Sequence, residues 1–164
     1  ARIKQRQVER TFESMAHGFL YWGQALFHRG LFGVHGQMMA LLNYADSCSV
    51  WGGAAIGPSK AALAAYVRYM AGEMAVYGVR ANGIRFGAAE TYAIAHLPSA
   101  KAGLERVAAL SPMRRNCTVE DVGGLLALLA DDKAAFLNGA IVDYDGGELA
   151  AFVRMAFGGD NRPF

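Results

Sequence analysis

Apolar side chains recur at positions 8, 12, 15, 19, 22 and 26 (Val, Phe, Met, Phe, Trp, Leu), and Ala16, Leu20, Gly23 and Phe27 form a second stripe beside them. Steps of three and four residues return a side chain to the same helical face, so the pattern predicts a helix from Val8 to Arg29 that is buried on two sides. One such face is enough to cover a sheet, and the second calls for a partner helix, for instance from another subunit. After Gly30 and Gly33 comes Gln37 to Asn43, a nearly continuous apolar run bounded by glycine and polar residues. That is the pattern of a strand covered on both faces, and hence of parallel pairing. Residues 44–58 predict a loop. Helical spacing returns from Ser59 to Tyr77, with Leu63, Tyr66, Val67, Met70 and Met74 on one face and Gly78 as the stop.

Val79 to Ile84 is a weaker second strand, followed by an irregular stretch to Pro98 and a short helix near Ala100 to Leu110. Thr118 opens a helix through Ala130, with Asp121 three positions on as an imperfect capping box. Ala140 to Asp145 is the third strand, closed by Gly146-Gly147. The order predicts an α/β fold, a Rossmann-type doubly wound parallel sheet of three strands with right-handed crossovers, and residues 1–164 as part of one domain. Three strands alone would leave one edge of strand 37–43 open, so something is expected to pair with it. No leading strand and no glycine-rich phosphate turn precede the first helix. The chain reads like the back half of such a domain.

Composition narrows the class. With 54% hydrophobic and 18% charged residues, the 164-residue chain is globular and not disordered. Sixteen Lys and Arg against fourteen Asp and Glu give a net charge of +2 and no basic block, which sets nucleic acid aside as a partner. No apolar run is long enough for a membrane span and the start lacks the order of a secretory signal, so a cytoplasmic protein without a membrane partner is expected. Cys48 and Cys117 form no CxxC and are expected reduced, and the four histidines show no HExxH spacing, so no metal site is expected.

Two segments carry a resemblance. GPSKAALAAYVRYMAGEMAVYGVRANGI (57–84) and SPMRRNCTVEDVGGLLALLADDKAAFLNGAIVDYDGGE (111–148) resemble the active-site lysine helix and the closing helix, strand and glycine pair of the short-chain dehydrogenase/reductases. These are NAD(P)-dependent enzymes on a Rossmann sheet. Asn43-Tyr44 after the first strand, the VRANGI strand and the PMRRN-x-TVEDVG run look most like the enoyl-acyl-carrier-protein reductase branch. The resemblance spans Val8 to Glu148.

The resemblance implies site residues. Lys60 matches the lysine that binds the nicotinamide ribose and lowers the pKa of a nearby tyrosine, although a lysine at a helix start, taken alone, reads as a solvated charge. The tyrosine itself is missing: four residues before Lys60 stands Ile56, and seven before it, the spacing of the enoyl reductase branch, stands Gly53. One tyrosine inserted between Gly53 and Ala54 would restore the second spacing. Tyr44 matches an additional tyrosine of that branch, and its hydroxyl would contact substrate, with an ordinary packed aromatic as the alternative. Asn43 stands where the wider family often has its catalytic serine. The run Arg85 to Thr91 matches the loop that holds the nicotinamide amide and a phosphate, Gly87 allowing close approach and Thr91 offering a hydroxyl, with an ordinary connection as the alternative. Asp143 and Asp145 read as solvated turn residues, Arg114 and Arg115 as structural or interfacial, and Trp22 and Trp51 as packing residues, Trp51 with a place at the substrate entrance as its alternative.

The resulting expectation is the C-terminal part of an NAD(P)H-dependent reductase, enoyl-thioester reductase-like, acting on an acyl thioester or another small carbonyl substrate. Lys60 and Tyr44 would be catalytic; Lys60, Asn43, Gly87 and Thr91 would bind cofactor. Two rivals stand beside it: a decayed, structural subunit of the same fold, suggested by Ile56 and Gly53, and a 3-oxoacyl (carbonyl) reductase of the same superfamily. The doubled apolar face of 8–29 and the apolar tail, with Phe152, Val153, Phe157 and Phe164, lead to the expectation of a homo-oligomer, a tetramer.

Overall fold

Arg80 and Asn82 interrupt the apolar run 79–84, yet this segment is the middle strand of the sheet. The computed structural model describes residues 2–33, 35–49, 53–95 and 100–151. Its strands β1 (Gln37–Leu42), β2 (Arg80–Phe86) and β3 (Ile141–Tyr144) form one parallel sheet in the order β1-β2-β3. The polar side chains of β2 are consumed internally. Asn82, fully buried, donates from Nδ2 to the Leu137 carbonyl at 2.8 Å and accepts at Oδ1 from the Ala140 N–H at 3.0 Å. Arg80 donates from Nη1 to the carbonyls of Ala134 and Leu137. Satisfied in this way, a polar residue costs a central strand little and ties it to the turn before β3.

Helices lie on both faces of the sheet, but the run 37–43, expected to be covered on both, is buried on one face only: Met38, Ala40 and Leu42 are out of water, whereas Leu41 on the other face is 41% exposed. Helix α3 (Ile56–Met74), with α1 (Gln5–Phe12) and α2 (Gly18–His28), lies on one face, where Leu42, Leu63 and Val67 form one cluster and Met38, Met70, Met74 and Ala81 another. Helix α6 (Val119–Ala130) covers the other face through Leu125 and Leu129 against Ile84. Two shorter helices, α4 (Tyr92–Ala95) and α5 (Ala100–Leu110), fill the connection between β2 and α6. The capping box of α6 is complete: Thr118 Oγ1 accepts from the Asp121 N–H at 3.1 Å and Asp121 Oδ2 from the Thr118 N–H at 2.9 Å. An aspartate thus does here what glutamate does in the longer form of the box. Gly78 adopts φ +75°, the left-handed stop that the sequence predicts.

The helix predicted over 8–29 differs in one respect. Between α1 and α2 the chain makes a π-helical turn, Glu13–His17, which lets one extra residue slip into the helix. The small-residue stripe faces inward. Ala16 is fully buried, and a Cβ on Gly23 would stand 2.5 Å from Met38 Cε and 2.9 Å from Met70 Cε. With no side chain at 23, α2 packs directly on the ends of these two methionines, which would have to shift for any Cβ there. Of the large-residue stripe, Trp22 is 69% exposed, whereas Phe19 packs against both inner clusters. His17, inside the π turn, meets Tyr66 of α3, Nδ1 to hydroxyl 3.0 Å.

Among the described residues nothing pairs with the outer edge of β1, no helix is long and apolar enough to cross a membrane, and no three His, Cys, Asp or Glu cluster to hold a metal. Trp51 and the tail from Phe152 onward lie outside the described residues.

Candidate functional site

The carboxyl ends of parallel strands face a crevice where ligands bind in doubly wound sheets, and here they gather most of the residues singled out above. The start of α3 fixes the first of them. A Cβ on Gly57 would stand 2.8 Å from the Ala45 carbonyl, so α3 begins in direct contact with the 3-10 turn Tyr44–Asp46 that follows β1. One turn further on, Lys60 reaches back and donates from Nζ to the Leu41 carbonyl at 2.6 Å. The Arg80 N–H donates to the Gly36 carbonyl, so even-numbered carbonyls of β1 point to β2 and Leu41 points to the open edge. An ammonium has three donors, and Lys60 uses one of them on that edge. Burial lowers its pKa and the nearby Asp46 carboxylate opposes the shift. Ile56, four residues before Lys60 and on the same helical face, is 38% exposed at the helix start.

Asn43 and Tyr44 shape the turn after β1. Asn43 Oδ1 accepts from the Ala45 N–H at 3.1 Å, so its side chain is a cap. Tyr44 is half-buried, and burial first, then the carboxylate of Glu148, raises the pKa of its phenol. Asp46, at the end of the same turn, is the anchor that sequence reasoning missed. Its carboxylate takes two parallel hydrogen bonds from Arg85, Nε to Oδ1 at 2.9 Å and Nη2 to Oδ2 at 2.8 Å, and a third from the Ser47 hydroxyl at 2.6 Å. Arg85 also donates from Nη1 to Asp143, its register partner on β3. The guanidinium therefore bridges all three strand ends, and its two carboxylate partners raise its pKa. Asp143 is thus an ion-pair member and not a free turn residue. Asp145 is a turn residue as expected, accepting from the Gly147 and Leu149 amides. Arg115 pairs with Asp121 beside the α6 cap.

The loop after β2 brings in Gly87 and Thr91. Thr91 Oγ1 accepts from the Ile94 N–H at 3.4 Å at the start of α4. Against Gly87 lies Glu148, 5% exposed, whose Oε2 accepts from the Ala88 N–H at 3.1 Å. A Cβ on Gly87 would stand 2.8 Å from Glu148 Oε1. Burial raises the Glu148 pKa, the Asp145 carboxylate adds to the shift, and the Ala88 N–H opposes it. Nothing in the sequence near a glycine pair signals that a glutamate there is buried.

Lys60, Asn43, Tyr44, Gly87 and Thr91 thus sit on the connections that leave the ends of β1 and β2. Lys60 keeps two ammonium donors beyond the one it places on Leu41, whereas the backbone of Gly87 is buried under the Glu148 carboxyl. No glycine-rich strand-to-helix turn, which would receive the pyrophosphate, occurs among the described residues.

Comparison with known proteins gives the family and the fold. The sequence profile of the enoyl-(acyl carrier protein) reductase family matches residues 1–148. The NADH enoyl-[acyl-carrier-protein] reductase FabI of Escherichia coli K12 is 41% identical over 92 residues, 56% of this chain and 35% of that protein. FabI of Rickettsia prowazekii is 32% identical over 150 residues, 85% of this chain and 55% of that protein. Among solved structures, the enoyl-[acyl-carrier-protein] reductase (NADH) of Aquifex aeolicus VF5 superposes with a TM-score of 0.83 at 25% identity, covering 90% of this chain and 57% of that one. The chain spans about half the length, or less, of the relatives it matches.

Proposed function

The chain belongs to the enoyl-(acyl carrier protein) reductase family of the short-chain dehydrogenase/reductases, and from that premise we propose that it forms the substrate side of an NAD(P)H-dependent reductase acting on the double bond of an enoyl thioester. The observation that carries this reading is the arrival of Lys60, Asn43-Tyr44 and the Gly87–Thr91 loop at the carboxyl end of one parallel sheet. In this reading Lys60 holds the ribose hydroxyls with the two donors that Leu41 leaves free. The Gly87–Thr91 backbone receives the carboxamide, and Asn43 fixes the turn that presents Tyr44 to the substrate. The bound reduced nicotinamide supplies the hydride. The same protein assembles through the outward face of α2, where Tyr21 and Trp22 are 58% and 69% exposed, into a homo-oligomer read as a tetramer.

One observation favours a second reading. Ile56 holds the helical position that faces the site one turn before Lys60, and neither it nor Gly53 can donate a proton. A subunit that kept the fold and its surfaces but lost the chemistry would look the same there. Titration of NADH and of NADPH into the protein, followed by nucleotide fluorescence, separates the two. Saturable binding is expected in a full-length form that carries a glycine-rich turn, with Lys60→Ala weakening it by about 1.5–3 kcal/mol, roughly 10- to 150-fold in Kd, whereas residues 1–164 by themselves are expected to bind a dinucleotide poorly. No change at millimolar nucleotide in that full-length form removes the reductase reading in favour of the structural one.

A further inference from the structure

Reducing a double bond conjugated to a thioester puts negative charge on the thioester oxygen, and some group must meet it with a proton. Glu148 is a buried carboxyl group at the same strand ends. It follows the glycine pair at the end of β3 and lies on the backbone of Gly87 and Ala88 at the end of β2. Among the described residues no Lys, Arg or His stands within ion-pair distance of it. The ionisable groups that face it are Tyr44 from the turn after β1, Cys117 from the segment before α6 and Asp145 from its own turn. None of them is a cation. A carboxyl so enclosed is favoured in its neutral form, and the direction of its pKa agrees. The Ala88 N–H already engages Oε2, so the proton belongs on Oε1, the oxygen over Gly87.

We propose that Glu148, as a neutral carboxylic acid, hydrogen-bonds and protonates the thioester oxygen of the substrate in this chain, from the end of β3, the role that neither Ile56 nor Gly53 can fill. The proposal rests on the reductase reading above. The balance is complete: the β carbon gains a hydride from reduced nicotinamide, which is oxidised, and the oxygen gains the Oε1 proton. The resulting enol becomes the saturated thioester by moving its proton to the α carbon, and Glu148 regains a proton from water. Tyr44, whose phenol is held protonated by burial and by the charge of Glu148, faces the same acid.

The experiment uses the full-length form labelled with carbon-13 at glutamate carboxyls, the Glu148 signal being assigned by its loss in Glu148→Gln. Glu148 is expected to titrate above the other glutamates and to shift when crotonyl-CoA is added without nucleotide. In the NADH-dependent reduction of crotonyl-CoA, Glu148→Gln should lower kcat about 100- to 10,000-fold with the Kd for NADH unchanged, and Glu148→Asp should restore part of it. Wild-type kcat should fall as pH rises through the Glu148 titration, a profile the Gln variant lacks. NADH binding with Glu148 titrating among the other glutamates, or with kcat within threefold in the Gln variant, overturns the proposal alone. Absence of NADH binding while crotonyl-CoA still moves the Glu148 signal removes the reductase reading but leaves the substrate contact standing.

Discussion

Asp46 and Arg85, 39 residues apart in sequence, meet in a bidentate ion pair with both side chains largely out of water, 3% and 15% exposed. The pair locks the turn after β1 to the end of β2, and the turn is what α3 and Lys60 rest on. A buried pair of this kind contributes less by existing than it costs to break, because one partner removed leaves the other charged and dry. Arg85→Gln should therefore destabilise the protein by roughly 3 kcal/mol in urea denaturation. Adding Asp46→Asn to it should recover a large part of that loss. If the double variant is no more stable than Arg85→Gln alone, the stranded carboxylate is not the cause.

Glycine at 87 and glycine at 124 make opposite predictions. A methyl at Gly87 would stand 2.8 Å from Glu148 Oε1 and 2.9 Å from its Cδ, so Gly87→Ala must push the carboxyl off the Ala88 N–H, at about 1–3 kcal/mol. At Gly124, inside α6, nothing lies within 4 Å. There Gly124→Ala should raise stability by about 0.5–1 kcal/mol through helix propensity and the reduced freedom of the unfolded chain. Melting of the two variants side by side tests both, and Gly87→Ala as stable as the parent would mean that Glu148 moves away freely.

These residues show what the sequence holds and what it withholds. The strands at 37–43 and 140–145 and the helices at 59–77 and 118–130 were legible because each buries a regular apolar face or carries its own stop or cap. The Asp46-Arg85-Asp143 bridge was not. Arg85 lies opposite Leu42 on one side and Asp143 on the other only once the parallel register is fixed, and register is a property of pairing, not of any one segment. Lys60 and the Gly87 loop were reached through family resemblance. Glu148 was passed over because a glutamate after two glycines has the local signature of a solvated turn, and its burial comes from a loop 60 residues away.

The pH dependence of stability follows from Glu148. Its pKa in the folded protein is raised above the ordinary 4.5 by burial and by Asp145, so within that interval the folded protein holds a proton that the unfolded chain has released. Stability therefore falls as pH rises from the ordinary value through the folded one, and the contribution is fully present below that window. Glu148→Gln, which cannot ionise, should flatten this part of the curve and gain on the wild type as pH rises. Denaturant midpoints at stepped pH values measure it. Parallel curves for the two proteins would mean that Glu148 ionises as easily folded as unfolded.

Assembly can be tested at one side chain. The π turn at 13–17 and the glycine at 23 turn the small residues of the long helix inward, which leaves Trp22 outward at 69% exposure and Tyr21 beside it at 58%. Two large aromatic rings adjacent on a surface helix form an apolar patch that water solvates poorly, and a second copy of the same helix would cover it by two-fold symmetry. Trp22→Asp places a charge in the middle of that contact while leaving the inner clusters untouched, since Trp22 belongs to none of them. Light scattering should then show the mass fall from the oligomer to a smaller species, with the far-ultraviolet circular dichroism of the parent retained. A wild-type protein already monodisperse as a monomer at micromolar concentration would refute the interface and leave Trp22 as a solvent-exposed ring.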